Sequence, residues 1–326
     1  MTDRYGRVID YMRVSVTDRC NLRCVYCIPG KIRMADRREI LSYEEILRIC
    51  EAAVALGIVN FKVTGGEPLA REGCAEFIAR LKALPGARQV TLTTNGLLLE
   101  EHLDALRATG IDGINISVNT LRDDEYRELT GFPGHMPNIA AHITRMITLC
   151  VDCGLRVKIN TVLLAQTLGH IYEIAMLARD MPVDVRFIEK MPIGDRASVE
   201  RVTVGAALER LREKWTDLRP VDESRGNGPA RYYAADALTG RIGFIGALSQ
   251  GFCERCNRVR LTSTGRLKLC LCYSEGCDLK ALLEGGCGDE TLRETMRGCI
   301  MNKPEAHCFI DHQNMTERKG MNQIGG

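Results

Sequence analysis

The sequence carries almost no net charge: 44 lysines and arginines against 42 aspartates and glutamates leave +2 at pH 7. A basic field over the whole surface, of the kind that draws nucleic acid, is excluded, so any anion site has to be local. Long hydrophobic runs are also missing. No stretch reaches the ~18 apolar residues of a membrane span, and the charged first ten residues lack the apolar core of a secretory signal. Solenoid-length repeats and low-complexity tracts are absent too. What is left is a globular composition, 45% hydrophobic and 26% charged over 326 residues, enough for one large α/β barrel or two ordinary domains. The expectation is a cytoplasmic protein with no membrane or nucleic-acid partner.

Against these absences stand fifteen cysteines. In a reducing compartment they read as metal ligands or core thiols rather than a disulfide framework, and an odd number cannot pair completely.

The first two thirds of the chain alternate β-type and helical patterns. Strands are expected at 11–17, 60–64, 89–94, 113–119, 156–163 and 184–189, with helices at 43–56, 75–84, 100–109, 139–153 and 171–181. The first helix opens on a capping box, Ser42 to Glu45, and stops at Gly57. About six consecutive βα units imply parallel strands, too few for an eight-stranded barrel. Polar clusters close several strands: Thr64 to Pro68, Thr93 to Gly96, Ser117 to Thr120, and Glu189 to Met191. In parallel α/β folds that end is the active face, so these clusters are expected to share one pocket. After Trp215 the texture changes to a loop at 222–229, short strands at 231–235 and 241–245, and a cysteine-rich stretch. The expected division is 1–215 and 216–326.

Cys20, Cys24 and Cys27 follow the first strand at C-x3-C-x2-C spacing. Three soft thiolates suit a four-iron cluster with one open iron, or zinc with a fourth ligand elsewhere. The Gly65-Gly66-Glu67-Pro68 turn after the second strand lets backbone approach a ligand closely. Together the two motifs resemble the radical S-adenosylmethionine superfamily over about residues 11–191. That resemblance implies an α/β fold, a partial (β/α)6 barrel, here followed by a C-terminal cysteine-rich α+β extension.

A second set is Cys253, Cys256 and, thirteen residues further, Cys270, with Cys272 and Cys277 close behind. On spacing alone a cluster with an open iron and a four-cysteine zinc site fit equally well. The flanking run Cys256-Asn257-Arg258-Val259-Arg260-Leu261-Thr262, then Gly265, Leu267, Lys303-Pro304, His307 and a Gly325-Gly326 tail, resembles the GTP 3′,8-cyclases of molybdenum cofactor biosynthesis.

That resemblance implies a lyase with two [4Fe-4S] clusters and S-adenosylmethionine. Cys20, Cys24 and Cys27 would hold the first cluster, and Cys253, Cys256 and Cys270 the second. Tyr26, Gly66, Ser117 and Met191 would contact S-adenosylmethionine. Arg13, Lys62, Thr93, Lys158, Arg258, Val259 and Arg260 would contact GTP, with Arg13, Lys158, Gly325 and Gly326 serving catalysis. A 5′-deoxyadenosyl radical would take the C3′ hydrogen of GTP, and the carbon radical would close on guanine C8. The implied partners are an electron donor and a downstream cyclic pyranopterin monophosphate synthase, the chain being a monomer or homodimer. Lys62 stands where the family commonly has arginine, Ser117-Val118-Asn119-Thr120 replaces Ser-Leu-Asp-Ser, and segments 28–38 and 131–138 are atypical. A divergent radical enzyme acting on a related nucleotide or a peptide is the first rival reading, and a non-catalytic iron–sulfur or zinc scaffold the second.

Overall fold

Among the described residues, alternation of apolar and polar residues along short runs gives twelve strands, and these join in one sheet. A computed structural model describes residues 1–28, 33–134, 137–194 and 201–326. The strands are β1 (Tyr11–Ser15), β2 (Asn60–Thr64), β3 (Gln89–Thr94), β4 (Gly113–Ser117), β5 (Val157–Leu163), β6 (Asp184–Glu189), β7 (Arg219–Val221), β8 (Arg231–Ala234), β9 (Arg241–Ile245), β10 (Arg258–Leu261), β11 (Arg266–Lys268) and β12 (Gly276–Asp278). Their order is β12-β11-β10-β1-β2-β3-β4-β5-β6-β9-β8-β7. Neighbours from β1 through β6 are all parallel.

The later part of the chain extends both edges. β9 adds in parallel to β6 and carries the antiparallel β8 and β7, while β10 adds in parallel to β1 and carries β11 and β12. One continuous core, from Ile9 to Ile300, runs beneath all of it. Apolar residues at alternate positions, such as Met12, Val14, Phe61, Val63, Leu92, Ile114, Ile159, Phe187 and Val259, are buried in that core. Amphipathic helices including Tyr43–Ala55, Cys74–Lys82, Leu99–Ala108 and Ile139–Asp152 contribute to it from their apolar sides. The capping box at Ser42 forms, with Glu45 N–H donating to Ser42 Oγ at 3.1 Å and Ser42 N–H to Glu45 Oε2 at 2.6 Å.

The intervening positions point the other way. Register sets Arg260 beside Arg13, Arg13 beside Lys62, and Lys62 beside Thr91; further along, Asn115 pairs with Lys158 and Asn160 with Arg186. Side chains from β1 through β6 and from β10 line a single cavity. A sheet whose strands share one concave face in this way is curled, and a linear strand order leaves the barrel open. Among the described residues no helix is long and apolar enough to cross a membrane. Residues 29–32 and 135–136, within the two atypical segments, lie outside the described residues.

Candidate active site

Cations dominate the cavity. Arg13, Lys62, Lys158, Arg186, Arg225 and Arg258 line it, within about 850 Å³ including its mouth. Adjacent strands are about 4.8 Å apart, so the row Arg260–Arg13–Lys62 brings three like charges onto neighbouring strands, Arg260 buried and Arg13 and Lys62 half-buried. Burial pushes Lys62 and Arg260 well below their ordinary values, and the neighbouring arginines push the same way. Arg13 is lowered for the same two reasons. Asp184 is the buried counter-charge at the base, 2.8 Å from Arg225 Nε and 3.7 Å from Lys158 Nζ. Asp112, the carboxylate in the lining, is 2.5 Å from Lys82. The interior therefore holds more cationic than anionic groups, an arrangement suited to a polyanion.

The Gly325-Gly326 segment reaches the cation row. Arg260 donates to the Gly325 carbonyl and Arg13 to the Gly326 carbonyl. Gly325 has φ +80°, and a Cβ there would lie 3.2 Å from Ser15 Cβ. Ile324 anchors the segment in a small apolar cluster with Ile193, Phe309 and Met315, against which Met191 packs.

At the C-terminal end of β1 the first thiols, Cys20, Cys24 and Cys27, sit within one another's electrostatic field. Burial raises Cys24 to about 11, with the Cys20 charge adding to it, and Cys27 is raised by burial and by both other thiols. Such a set is relieved by cationic metal, and soft thiolates fit iron–sulfur chemistry. Gly66 is packed behind this loop. Its N–H donates to Thr17 O at 2.7 Å, and a Cβ would fall 2.2 Å from Arg19 O, so only glycine fits. Tyr26 Oη accepts from Asn119 Nδ2 at 2.5 Å. Ser117 ends β4 opposite Asn160.

The second thiols lie at the other end of the barrel, because Cys253 and Cys256 precede β10, which runs parallel to β1. Burial opposes the Cys256 thiolate, but Arg258 and Lys303 outweigh it and bring the thiol down to about 6. Cys270, raised by burial, shares the field of Cys256 and Cys253. Cys272 turns away, its Sγ 3.0 Å from Cys308 Sγ, and Cys277 hydrogen-bonds Cys299. The two thiols that would complete a four-cysteine zinc site are thus engaged elsewhere, and the donors left suit a cluster with one open iron.

The polar strand ends do not line the cavity together. Thr93 does, but Glu67 is buried, raised by that burial to about 7, and accepts from Thr94 Oγ1 at 2.8 Å and Asn95 N–H at 2.7 Å. Glu189 likewise accepts from Val204 N–H and Leu248 N–H. These carboxylates tie loops to the barrel rim, because buried acceptors recruit backbone donors. The structure adds Arg186, Asn115, Arg225 and Tyr232 to the cavity, with Arg186 Nη2 donating to Asn115 Oδ1 at 2.5 Å. Arg186, like Arg13 and Lys158, is a charge inside a short strand of the buried sheet, but the family resemblance did not name it.

Comparison with known proteins accords with this geometry. Residues 14–178 match the Radical SAM superfamily and residues 183–309 match Molybdenum Cofactor Synthesis C. The GTP 3′,8-cyclase of Clostridium perfringens (strain 13 / Type A) is 38% identical over 328 residues, covering all of both chains. That of Pelotomaculum thermopropionicum is 40% identical over 332 residues, again covering all of both. The chain belongs to the GTP 3′,8-cyclase family. Membership of the radical SAM superfamily brings with it a [4Fe-4S] cluster and S-adenosylmethionine. The fold of this GTP 3′,8-cyclase family member is also that of Streptococcus suis SuiB bound to S-adenosylmethionine, with a TM-score of 0.64 at 16% identity over 97% of this chain and 78% of that one.

Proposed function

We propose that this chain is a lyase that converts GTP to (8S)-3′,8-cyclo-7,8-dihydroguanosine 5′-triphosphate, the first step of molybdenum cofactor biosynthesis. The observation that carries the reading is the cation-rich interior, lined by Arg13, Lys62, Lys158, Arg186 and Arg258, with Arg260 beside Arg13 on the neighbouring strand. A triphosphate supplies the missing anion, and arginine forks grip it through paired hydrogen bonds. Lys62 offers a point charge there instead of a fork.

In this reading Cys20, Cys24 and Cys27 hold one four-iron cluster, and Cys253, Cys256 and Cys270 hold a second beside the guanine. When bound, the first cluster and S-adenosylmethionine supply the one-electron cleavage that generates the radical acceptor of the C3′ hydrogen. The chain's own residues position and enclose. Tyr26, Gly66, Ser117 and Met191 cradle S-adenosylmethionine at the C-terminal rim. Arg13, Lys158, Arg258 and Arg260 fix the triphosphate, with Thr93 and the Val259 backbone beside them. Gly325 and Gly326, held by Arg260 and Arg13, place backbone groups at the reacting nucleotide and keep water out. The reaction draws on a cytoplasmic electron donor and hands its product to a cyclic pyranopterin monophosphate synthase.

The test is anaerobic reconstitution followed by iron counting and product analysis. About eight irons per chain are expected, with 5′-deoxyadenosine released together with a cyclised guanine nucleotide when GTP is present. Release that proceeds equally with ATP, or without any nucleotide product, would overturn the assignment.

A further inference from the structure

The second thiol set is held together by two buried cations that approach it from opposite ends of the sequence. Arg7 is paired with Asp3 at 2.7 Å and reaches Cys253 O at 3.1 Å, Pro304 O at 2.8 Å and Glu305 O at 2.7 Å. Lys303 follows the helix Asp289–Met301 and is 2% exposed. Its Nζ donates to Arg258 O at 2.9 Å and also to Leu269 O. Arg258 stands two residues after Cys256, and Leu269 immediately precedes Cys270. Every thiol-bearing segment of the second set is thereby tied to residues 303–305.

The two cations differ in how their charge is met. Arg7 has the Asp3 carboxylate, and the other buried lysine of this region, Lys268, has Glu317. Lys303 has no carboxylate partner among the described residues. Its hydrogen bonds go to carbonyls, which satisfy donors but carry no net charge. A buried, uncompensated ammonium is strongly disfavoured. The negative groups in its field are the thiols of Cys256 and Cys270.

We propose that Lys303 is a positioning residue for the second cluster site: its ammonium is the built-in counter-charge to the Cys256 and Cys270 thiolates, and it clamps the backbone beside each. This rests on the reading that these thiols hold a four-iron cluster. Reduction adds negative charge to a cluster, and a fixed cation nearby favours that state, so Lys303 raises the potential of a cluster held here.

The experiment uses the full chain, reconstituted anaerobically, with iron counting and a redox titration followed by electron paramagnetic resonance. Wild-type protein is measured first. If it holds only about four irons, the second-cluster reading fails before any variant is considered. With about eight irons in the wild type, Lys303→Met should move the second cluster's midpoint to more negative potential and leave the first cluster's midpoint unmoved. Lys303→Arg should return it toward wild type. Lys303→Gln, which keeps a donor but removes the charge, carries the same test should the methionine variant fail to fold. Loss of the second cluster in both neutral variants, with retention in Lys303→Arg, also supports the assignment. Full iron content with an unchanged midpoint in a neutral variant overturns it. So does loss of the second cluster in all three variants, which would reduce Lys303 to a packing role.

Discussion

Arg260 and Gly325, 65 positions apart, meet inside the barrel, the guanidinium donating to the glycine carbonyl. The contact depends on a left-handed backbone at φ +80°, and a Cβ there would lie 3.2 Å from Ser15 Cβ and 3.4 Å from Thr64 Oγ1. An alanine at Gly325 would adopt that conformation at a cost of about 1–2 kcal/mol, and its Cβ would press on Ser15. We expect Gly325→Ala to keep its full iron content while nucleotide cyclisation falls, and deletion of both glycines to lower cyclisation further. Product formation at the wild-type level in the truncated chain would show the segment to be dispensable.

Cys24 lies between Cys20 and Cys27 in the first thiol set, and two thiolates do not hold a four-iron cluster with one open iron. Cys24→Ala should lose about four irons per chain and release no 5′-deoxyadenosine. Cleavage of S-adenosylmethionine at the wild-type rate by this variant would remove the first site from the reaction.

Lys158 gives the cavity a pH dependence. Burial, reinforced by Arg186, brings its ammonium down to about 8. The group is charged below that value and neutral above it, so triphosphate affinity should fall as pH rises from 7 to 9. Losing one charge-assisted contact weakens binding about tenfold or more. Lys158→Arg, charged throughout, should flatten the profile, and guanosine, which lacks the phosphates, should show little of it. Calorimetric titration at three pH values checks this, and a GTP profile identical in the Arg variant would assign the dependence to another group.

The fold was legible where patterns were long. Strands β2, β3, β6 and β9 match the expected spans residue for residue, since alternating apolar residues there meet a continuous core. Strand β10 was not anticipated. Arg258-Val259-Arg260-Leu261 alternates for only four residues beside two cysteines, and its pairing with β1 is a contact between distant parts of the chain that no local pattern encodes. The helix Asp123–Thr130 was missed because Arg122 in its capping position gives no start signal.

The site was legible in its chemistry more than in its layout. Cysteine spacing pointed to the thiol sets, and the family resemblance to Arg13, Lys62 and Arg260 of the cation row. Among the strand-end polar residues, Glu67 and Glu189 look the same in sequence whether they face a ligand or bind loop backbone, and both bind loop backbone. Arg186 was overlooked although it too is a charge inside a short strand of the buried sheet, where its Nη2 donates to Asn115 Oδ1.

The neighbouring thiols Cys270 and Cys272 give the sharpest test of the second site. In an extended segment residues two apart lie on the same side, so spacing cannot choose between them. The surrounding structure separates them: Cys270 shares the field of Cys253 and Cys256, while Cys272 is fully buried against Cys308. Cys270→Ala should therefore lose about four irons on reconstitution, and Cys272→Ala should lose none. Rescue of the first variant by the adjacent thiol is controlled by the Cys270/Cys272 double alanine variant, which should match Cys270→Ala. Cys308→Ala should behave as Cys272→Ala does, since the two thiols form one pair. Loss of the second cluster in Cys272→Ala, with retention in Cys270→Ala, would exchange the two assignments. A wild-type chain holding zinc at this site with four sulfur ligands would replace the second cluster altogether and take with it the proposed guanine contact.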